Sequence, residues 1–114
     1  FGPNTIVEGY NAQVTIGNFV SFAQNINLMS GSGPNASETL QRIFPIIKGE
    51  VHLGDHTWIG ASVVIMPNVT LGKFCIVAAN SFVNKSFPDY SIIGGSPAKL
   101  IRILTKEEIE KLHE

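Results

Sequence analysis

At 114 residues the chain has the size of one domain, and eight Lys and Arg against nine Asp and Glu leave a net charge of −1. No basic stripe marks a nucleic-acid partner, and no apolar run is long enough to span a membrane. Charged residues make up only 15%, low for a soluble domain, which points to surface hidden by self-association.

The chain opens on Phe1 without an initiator Met and shows no secretory signal pattern. It reads as a fragment, or as a chain whose preceding segment is missing. FGPNTIVEG is an irregular lead-in. YNAQVT, IGNFVS and FAQNIN then form three blocks of six, opened by Tyr10, Ile16 and Phe22, with Val14, Val20 and Ile26 in fifth place. Leu28 continues the inward series, and the register is then lost. Leu28 and Ile47 are nineteen residues apart, one more than a multiple of six. Met29–Pro45 is therefore an insertion spliced between coils. Gly, Ser, Pro and Asn crowd Ser30–Ser37, as expected of an excursion from a rigid scaffold, where function commonly resides.

From Leu53 to Pro88 the period is continuous. Leu53, Ile59, Ile65, Leu71, Val77 and Val83 open successive blocks, and Gly54, Gly60, Gly72 and Ala78 follow four of them. The fifth places hold Thr57, Val63, Val69, Cys75, Ser81 and Phe87, and the same phase reaches back to Ile47 and Val51. A period of six fits neither an α-helix nor a simple two-faced strand. It describes short strands joined by tight corners, with the aliphatic residue inward and stacked on its counterparts in neighbouring coils. One such block cannot stand alone, so stability must come from stacking. The expected architecture is an all-β solenoid, the hexapeptide β-helix. The lone Cys75 reads as a small core residue, which rules out a disulfide framework and makes a reducing, cytoplasmic setting the default.

After Pro88 the chain leaves the repeat. Gly94-Gly95-Ser96-Pro97 makes a sharp turn, followed by Lys99 and Arg102. LTKEEIEKLHE is a well-signed helix: Thr105 and Glu108 form a capping box, and Leu104 and Ile109 a hydrophobic staple. Glu107 and Glu108 suit its first turn, Lys111 and His113 its last. Ile109 and Leu112 form an apolar edge that must dock on the prism or on a neighbouring subunit. These segments divide the chain into a β-helix over 1–104, with an inserted loop at about 29–46, and a terminal helix over 105–114.

GDHTWIG, IMPNVTLG, VAANSFVNKSFPDYSIIGGSPAKLIR and the terminal helix together resemble the hexapeptide-repeat acyltransferases, in particular the maltose/galactoside and xenobiotic acetyltransferase branches. The resemblance implies a left-handed parallel β-helix with three blocks per triangular coil, against the usual right-handed crossover. It also implies a homotrimer that binds acetyl-CoA in grooves between subunits and acetylates a small-molecule acceptor, with no metal. Carried onto this chain, the pantetheine arm would follow corners built from Gly60 and Ala61 on one coil and Ala78, Ala79 and Asn80 on the next. Lys85, Lys99 and Arg102 would meet the CoA phosphates. Trp58 and Pro97 complete the expected cofactor-binding set. The same small residues also suit plain tight corners, and Trp58 a subunit contact.

The family's general base is a His at the start of the inserted loop, and here that position falls at or near Gly33. No His occurs from Phe1 to Val51, so the catalytic residue is unassigned. His52 and His56 face outward on consecutive hexads at unlike positions, so a shared metal site is not expected. His113 reads as a helix C-terminal cation. Two function classes remain. One is an acetyltransferase acting on a hydroxyl or amine of a small acceptor such as a sugar or xenobiotic, in which Ser30, Ser32, Asn35 and Ser37 are available to orient that acceptor. The other is a catalytically silent trimer serving as a binding or assembly module.

Overall fold

The computed structural model describes residues 5–9 and 12–114, so Tyr10, the opening residue of the first block, lies outside the described residues. The first coil runs through β1 (Ile6–Glu8), β2 (Val14–Ile16) and β3 (Ser21–Phe22). The second begins with β4 (Asn27–Met29) and detours through an arm made of β5 (Gly31–Ser32), α1 (Glu38–Gln41) and β6 (Ile47–Lys48). It closes with β7 (Val51–Leu53) and β8 (Trp58–Ile59). The third consists of β9 (Val64–Ile65), β10 (Thr70–Leu71) and β11 (Ile76–Val77). The fourth holds β12 (Phe82–Val83) and β13 (Ser91–Gly95), after which β14 (Ala98–Ile103) folds back antiparallel on β13 and leads to α2 (Lys106–Leu112).

Strands of equal phase pair in parallel from coil to coil and make the three faces of a left-handed prism. Face one is β1-β4-β9-β12, face two is β2-β7-β10, and face three is β3-β8-β11-β13 with β14 at its edge. First and fifth places point inward. Ile26, Leu28, Val51, Leu53, Ile59, Val63, Ile65, Val69, Leu71, Cys75, Val77, Val83 and Ile93 form one continuous core. Thr57, Ser81 and Ser91 are fifth-place hydroxyls that remain buried because each donates to a carbonyl three residues earlier. Burial pushes the Cys75 thiol up, as its place in the core requires.

Two readings of register are corrected. Ile47 is in phase with the hexads but lies on the arm and is 54% exposed. Its partner is Ser32 of β5, in an antiparallel hairpin that the repeat does not encode. Phe87 is buried, but it bridges Leu71 and so stands in first place, not fifth. The block opened by Val83 has lost two residues, and Ser86 Oγ compensates by accepting from Thr70 N at 2.8 Å.

Phe19, Asn25, His56, Ser62, Asn68, Phe74 and Asn80, all in fourth place, and Tyr90 adopt φ between 57° and 68°. Asn tolerates this left-handed conformation, whereas the bulky residues at one corner need compensation. They find it in a ring column, because coils repeat at about the distance of a stacked ring pair. Phe19 stacks on His56 (5.0 Å), His56 on Phe74 (4.7 Å) and Phe74 on Tyr90 (5.6 Å). His56 is thus a corner residue between two phenyl rings.

α2 carries the expected capping box between Thr105 and Glu108 and has no buried residue. It is held by polar and edge contacts: Tyr90 Oη to His113 Nε2 at 3.3 Å, the His113 ring edge-on to Phe74, and Arg102 bidentate to Glu108 at 2.6 and 3.1 Å. Leu112 stays 42% exposed. Arg102 is the main cause that draws the Glu108 carboxyl down from the ordinary 4.5 to about 2. Because the folded value lies below that of the free side chain, the pair's contribution is complete above pH 4.5 and is lost as pH falls to about 2. NMR chemical shifts of α2 are therefore expected to move toward random coil across that acid window, and Arg102→Ala to show the same loosening at neutral pH.

Candidate functional site

Face one is bordered by two unlike corners. At the corner it shares with face three, Gly60 and Ala61 of one coil underlie Ala78, Ala79 and Asn80 of the next. Gly60 N donates to Val77 O and Asn80 N to Ala61 O, both at 2.9 Å. A Cβ on Gly60 would lie 2.7 Å from Ala79 N and 2.8 Å from Val77 O, so the two layers close this tightly only around glycine. Ala78, Ala79 and Asn80 are exposed. The corner is thus an open ledge of nearly bare backbone, suited to an extended ligand that hydrogen-bonds the main chain. Ala78 N donates to Ile93 O at 2.9 Å, so the Gly94–Pro97 turn, with its cis Ser96–Pro97 peptide, continues the ledge in the next layer. Trp58 stands beside it on face three, 58% exposed, in one outward column with Ser21, Ile76 and Ile92.

Lys99 pairs with Gly94 on β14 and is exposed at the head of this ledge. Arg102 lies farther along β14 with its guanidinium already occupied by Glu108, so a phosphate there would have to displace a carboxylate. Lys85 is at the opposite corner of face one, with Nζ 5.5 Å from the centre of the Phe87 ring. The structure therefore gathers Trp58, Gly60, Ala61, Ala78, Ala79, Asn80, Pro97 and Lys99 around one corner, and leaves Lys85 and Arg102 outside it.

The other corner of face one carries the arm. Ser30 is buried, and its Oγ donates to Glu8 Oε2 at 3.1 Å and accepts from Ala12 N at 3.2 Å. Gly49 N donates to Ser30 O at 3.0 Å, so the arm's outgoing and returning ends meet at this serine. Ser37 Oγ caps α1 by accepting from Leu40 N, and Gln41 Nε2 donates to Pro34 O at 3.0 Å. Ser30 and Ser37 are thus spent on holding the arm. At Gly33 a Cβ would come within 2.7 Å of Ile46 Cα. The resemblance puts the family's His at or near this residue, and Gly33 itself is a close crossing of the two limbs that has no room for a side chain.

Between the arm and the prism lies a cleft of about 440 Å³, lined by Ile47, Met66, Pro67, Asn68, Phe82 and Asn84. Its walls are apolar, its two polar groups are neutral amides, and its volume is within the usual range for small-ligand pockets. Sequence reasoning missed it because Ile47 belongs to the arm and the rest to two coils. The one available signal was Phe82, an aromatic residue in an outward sixth place where the core does not need it. Asn80 on the ledge and Asn84 in the cleft flank β12, four residues apart in the sequence. The two features thus border the same narrow face.

A repeating prism with an arm and an open ledge is the arrangement that the resemblance to the hexapeptide-repeat transferases implies. Residues 50–85 match the family model described as bacterial transferase hexapeptide (six repeats). Galactoside O-acetyltransferase of Escherichia coli (strain K12) is 36% identical over 98 residues, covering 86% of this chain and 47% of that protein. A probable macrolide acetyltransferase of Lysinibacillus sphaericus is 48% identical over 66 residues, 57% of this chain and 37% of that protein. A solved galactoside acetyltransferase in complex with coenzyme A superposes with a TM-score of 0.79 at 28% identity, over 95% of this chain and 56% of that one. The chain carries the transferase hexapeptide repeat and resembles the hexapeptide-repeat acyltransferases in sequence and fold. It spans about half the length, or less, of the curated relatives it matches. Among the described residues no group of three His, Cys, Asp or Glu is placed to hold a metal ion, and no helix is long and apolar enough to cross a membrane.

Proposed function

We propose that the chain provides the β-helix of an acetyl-CoA-dependent acetyltransferase that acylates a hydroxyl or amine of a small acceptor. The observation that carries this reading is the ledge: an exposed, side-chain-poor corner at Ala78–Asn80 closed tightly over the half-buried Gly60–Ala61 of the coil below. A pantetheine arm is extended, uncharged and amide-rich, and such backbone matches it in shape and in hydrogen bonding. The relative of similar fold with coenzyme A bound supports the same ligand here. Lys99 would meet the phosphates, joined by Arg102 once it exchanges Glu108 for phosphate, while Lys85 would reach them only from the far edge of face one. The exposed apolar residues of the arm and of β14 (Leu40, Ile43, Phe44, Leu100, Ile101 and Ile103) support a homotrimer in which these faces are covered. The lone buried thiol suits a cytoplasmic enzyme.

Calorimetric titration with CoA tests the proposal. About one CoA per chain is expected, with about tenfold weaker binding for Lys99→Ala, the loss of one charge-assisted contact. Arg102→Ala is expected to weaken CoA and to loosen α2, whereas Lys99→Ala leaves α2 intact. No saturation at millimolar CoA would sink the proposal. The tight Gly33 crossing and the arm's lack of His then favour the other reading, a silent trimer used for binding or assembly.

A further inference from the structure

We propose that the cleft beside the arm binds a flat, uncharged ring system carrying one neutral hydrogen-bonding group, and that Phe82 and Asn84 select it. On the acetyltransferase reading, on which this role rests, the occupant is the non-reacting part of the acceptor. The core does not need Phe82. It lies outward on face one, in a column with Val64, Asn27 and Ile6, while its neighbour Val83 fills the prism. It is half-buried and lines the cleft with Ile47 of the arm and with Met66 and Pro67 of the third coil. A phenyl ring and a thioether suit a flat partner, because rings pair offset or edge-on and the flexible Met66 adapts to the partner's outline.

The two amides of the cleft are not equivalent. Asn68 is spent on the arm. Its Nδ2 donates to Lys48 O at 3.4 Å, its main-chain N donates to Glu50 O at 3.0 Å, and its side chain packs so closely on Gly49 that a Cβ there would overlap it. Asn84 is exposed, and its side chain makes no hydrogen bond among the described residues. It is the free polar group of the lining, able both to donate and to accept. A sugar turned toward these walls would leave most of its hydroxyls without a protein partner, and an ammonium or carboxylate would lose hydration against apolar carbon. Neither Lys48 nor Lys85 lines the cleft, and the Lys85 ammonium lies over the Phe87 ring. Asn84 and Asn80 flank β12, so an acceptor seated by its ring would extend its hydroxyl or amine along face one, the face that the ledge also borders.

The test is a fluorescence titration of the full chain with Prodan, an uncharged two-ring ketone dye whose emission shifts to the blue on leaving water. Saturable binding of about one dye per chain is expected. Phe82→Ala should weaken it by at least about tenfold, through lost stacking and lost apolar burial. Asn84→Ala should weaken it by about two- to tenfold, the loss of one neutral hydrogen bond. Leu112→Ser, which alters an exposed apolar residue of α2, should leave it unchanged, and methyl β-galactoside should not displace the dye. Because Asn84 is exposed, Asn84→Ala probes the site even where Phe82→Ala lowers Tm. Binding that does not saturate, that neither cleft variant weakens, or that Leu112→Ser weakens as much overturns the site. Displacement by an equal concentration of methyl β-galactoside overturns the preference for a flat ring. Thiol release from acetyl-CoA should be faster with naphthylethanol than with methyl β-galactoside, and Phe82→Ala should raise KM for naphthylethanol at unchanged kcat. An unchanged KM overturns the acceptor role. Prodan binding with these variant effects, in a chain that does not bind CoA, would uphold the site and overturn the acetyltransferase reading beneath its role.

Discussion

Ala79→Glu is expected to weaken CoA binding by at least about 100-fold, or about 2.7 kcal/mol, with Tm unchanged. Ala79 is exposed at the middle of the ledge, and its main chain closes over Gly60. A longer side chain there points into solvent in the free protein, so folding has no reason to change. In the complex the same side chain occupies the path of the pantetheine arm, and its carboxylate adds a like charge near the phosphates, a juxtaposition worth several kcal/mol. Calorimetry and thermal melts on the same sample decide the outcome. Unchanged affinity would move the coenzyme off this corner. Lost affinity with a lowered Tm would mean that the ledge is only a structural turn. Ala79→Ser, which adds one oxygen, should stay within about threefold of wild type, because small surface changes are worth only a few tenths of a kcal/mol.

Ile65→Ala is expected to cost about 2–5 kcal/mol, and Ile65→Val about 0.5–1.5 kcal/mol. Ile65 is fully buried and stacks between Leu28 of β4 and Val83 of β12. Each coil of a solenoid contacts only its neighbours, so removing this side chain weakens the interfaces above and below it together. Against a typical stability of about 5–15 kcal/mol, that loss is large enough to unfold part of the population. Urea titration should show a lower midpoint with a similar slope. A shift under about 0.5 kcal/mol, the size of an ordinary surface substitution, would contradict the stacking register of face one.

The core was legible in the sequence because it repeats. Leu53, Ile59, Ile65, Leu71 and Val77 all stand inward, and even Cys75 behaves as a core residue, since a period of six leaves little freedom in what can point inside. The terminal capping box was equally legible, because it depends on residues three apart and on nothing distant. Legibility failed where length changed. Ile47 has the phase of a core residue but belongs to a hairpin whose other strand lies on the far side of the insertion. Phe87 keeps its burial but changes place, because a shortened block is invisible to a fixed period.

The candidate site divides along the same line. The small residues of the ledge were named by resemblance, and the structure stacks them because adjacent coils lie eighteen residues apart. Lys85 and Arg102, assigned to the same ligand by resemblance, are separated from it by a prism edge and by Glu108. The prism, its inward residues and its capped terminal helix were determined by the sequence alone, through periodicity and short-range hydrogen bonds. The tertiary structure decided the cleft, the tight crossing at Gly33 and the anchoring of Asn68 on the returning limb at Lys48 and Glu50. Each depends on where the excursion that leaves after β4 returns to the prism at β7, and that is set by packing and by hydrogen bonds from Ser30 and Asn68, not by any period in the chain.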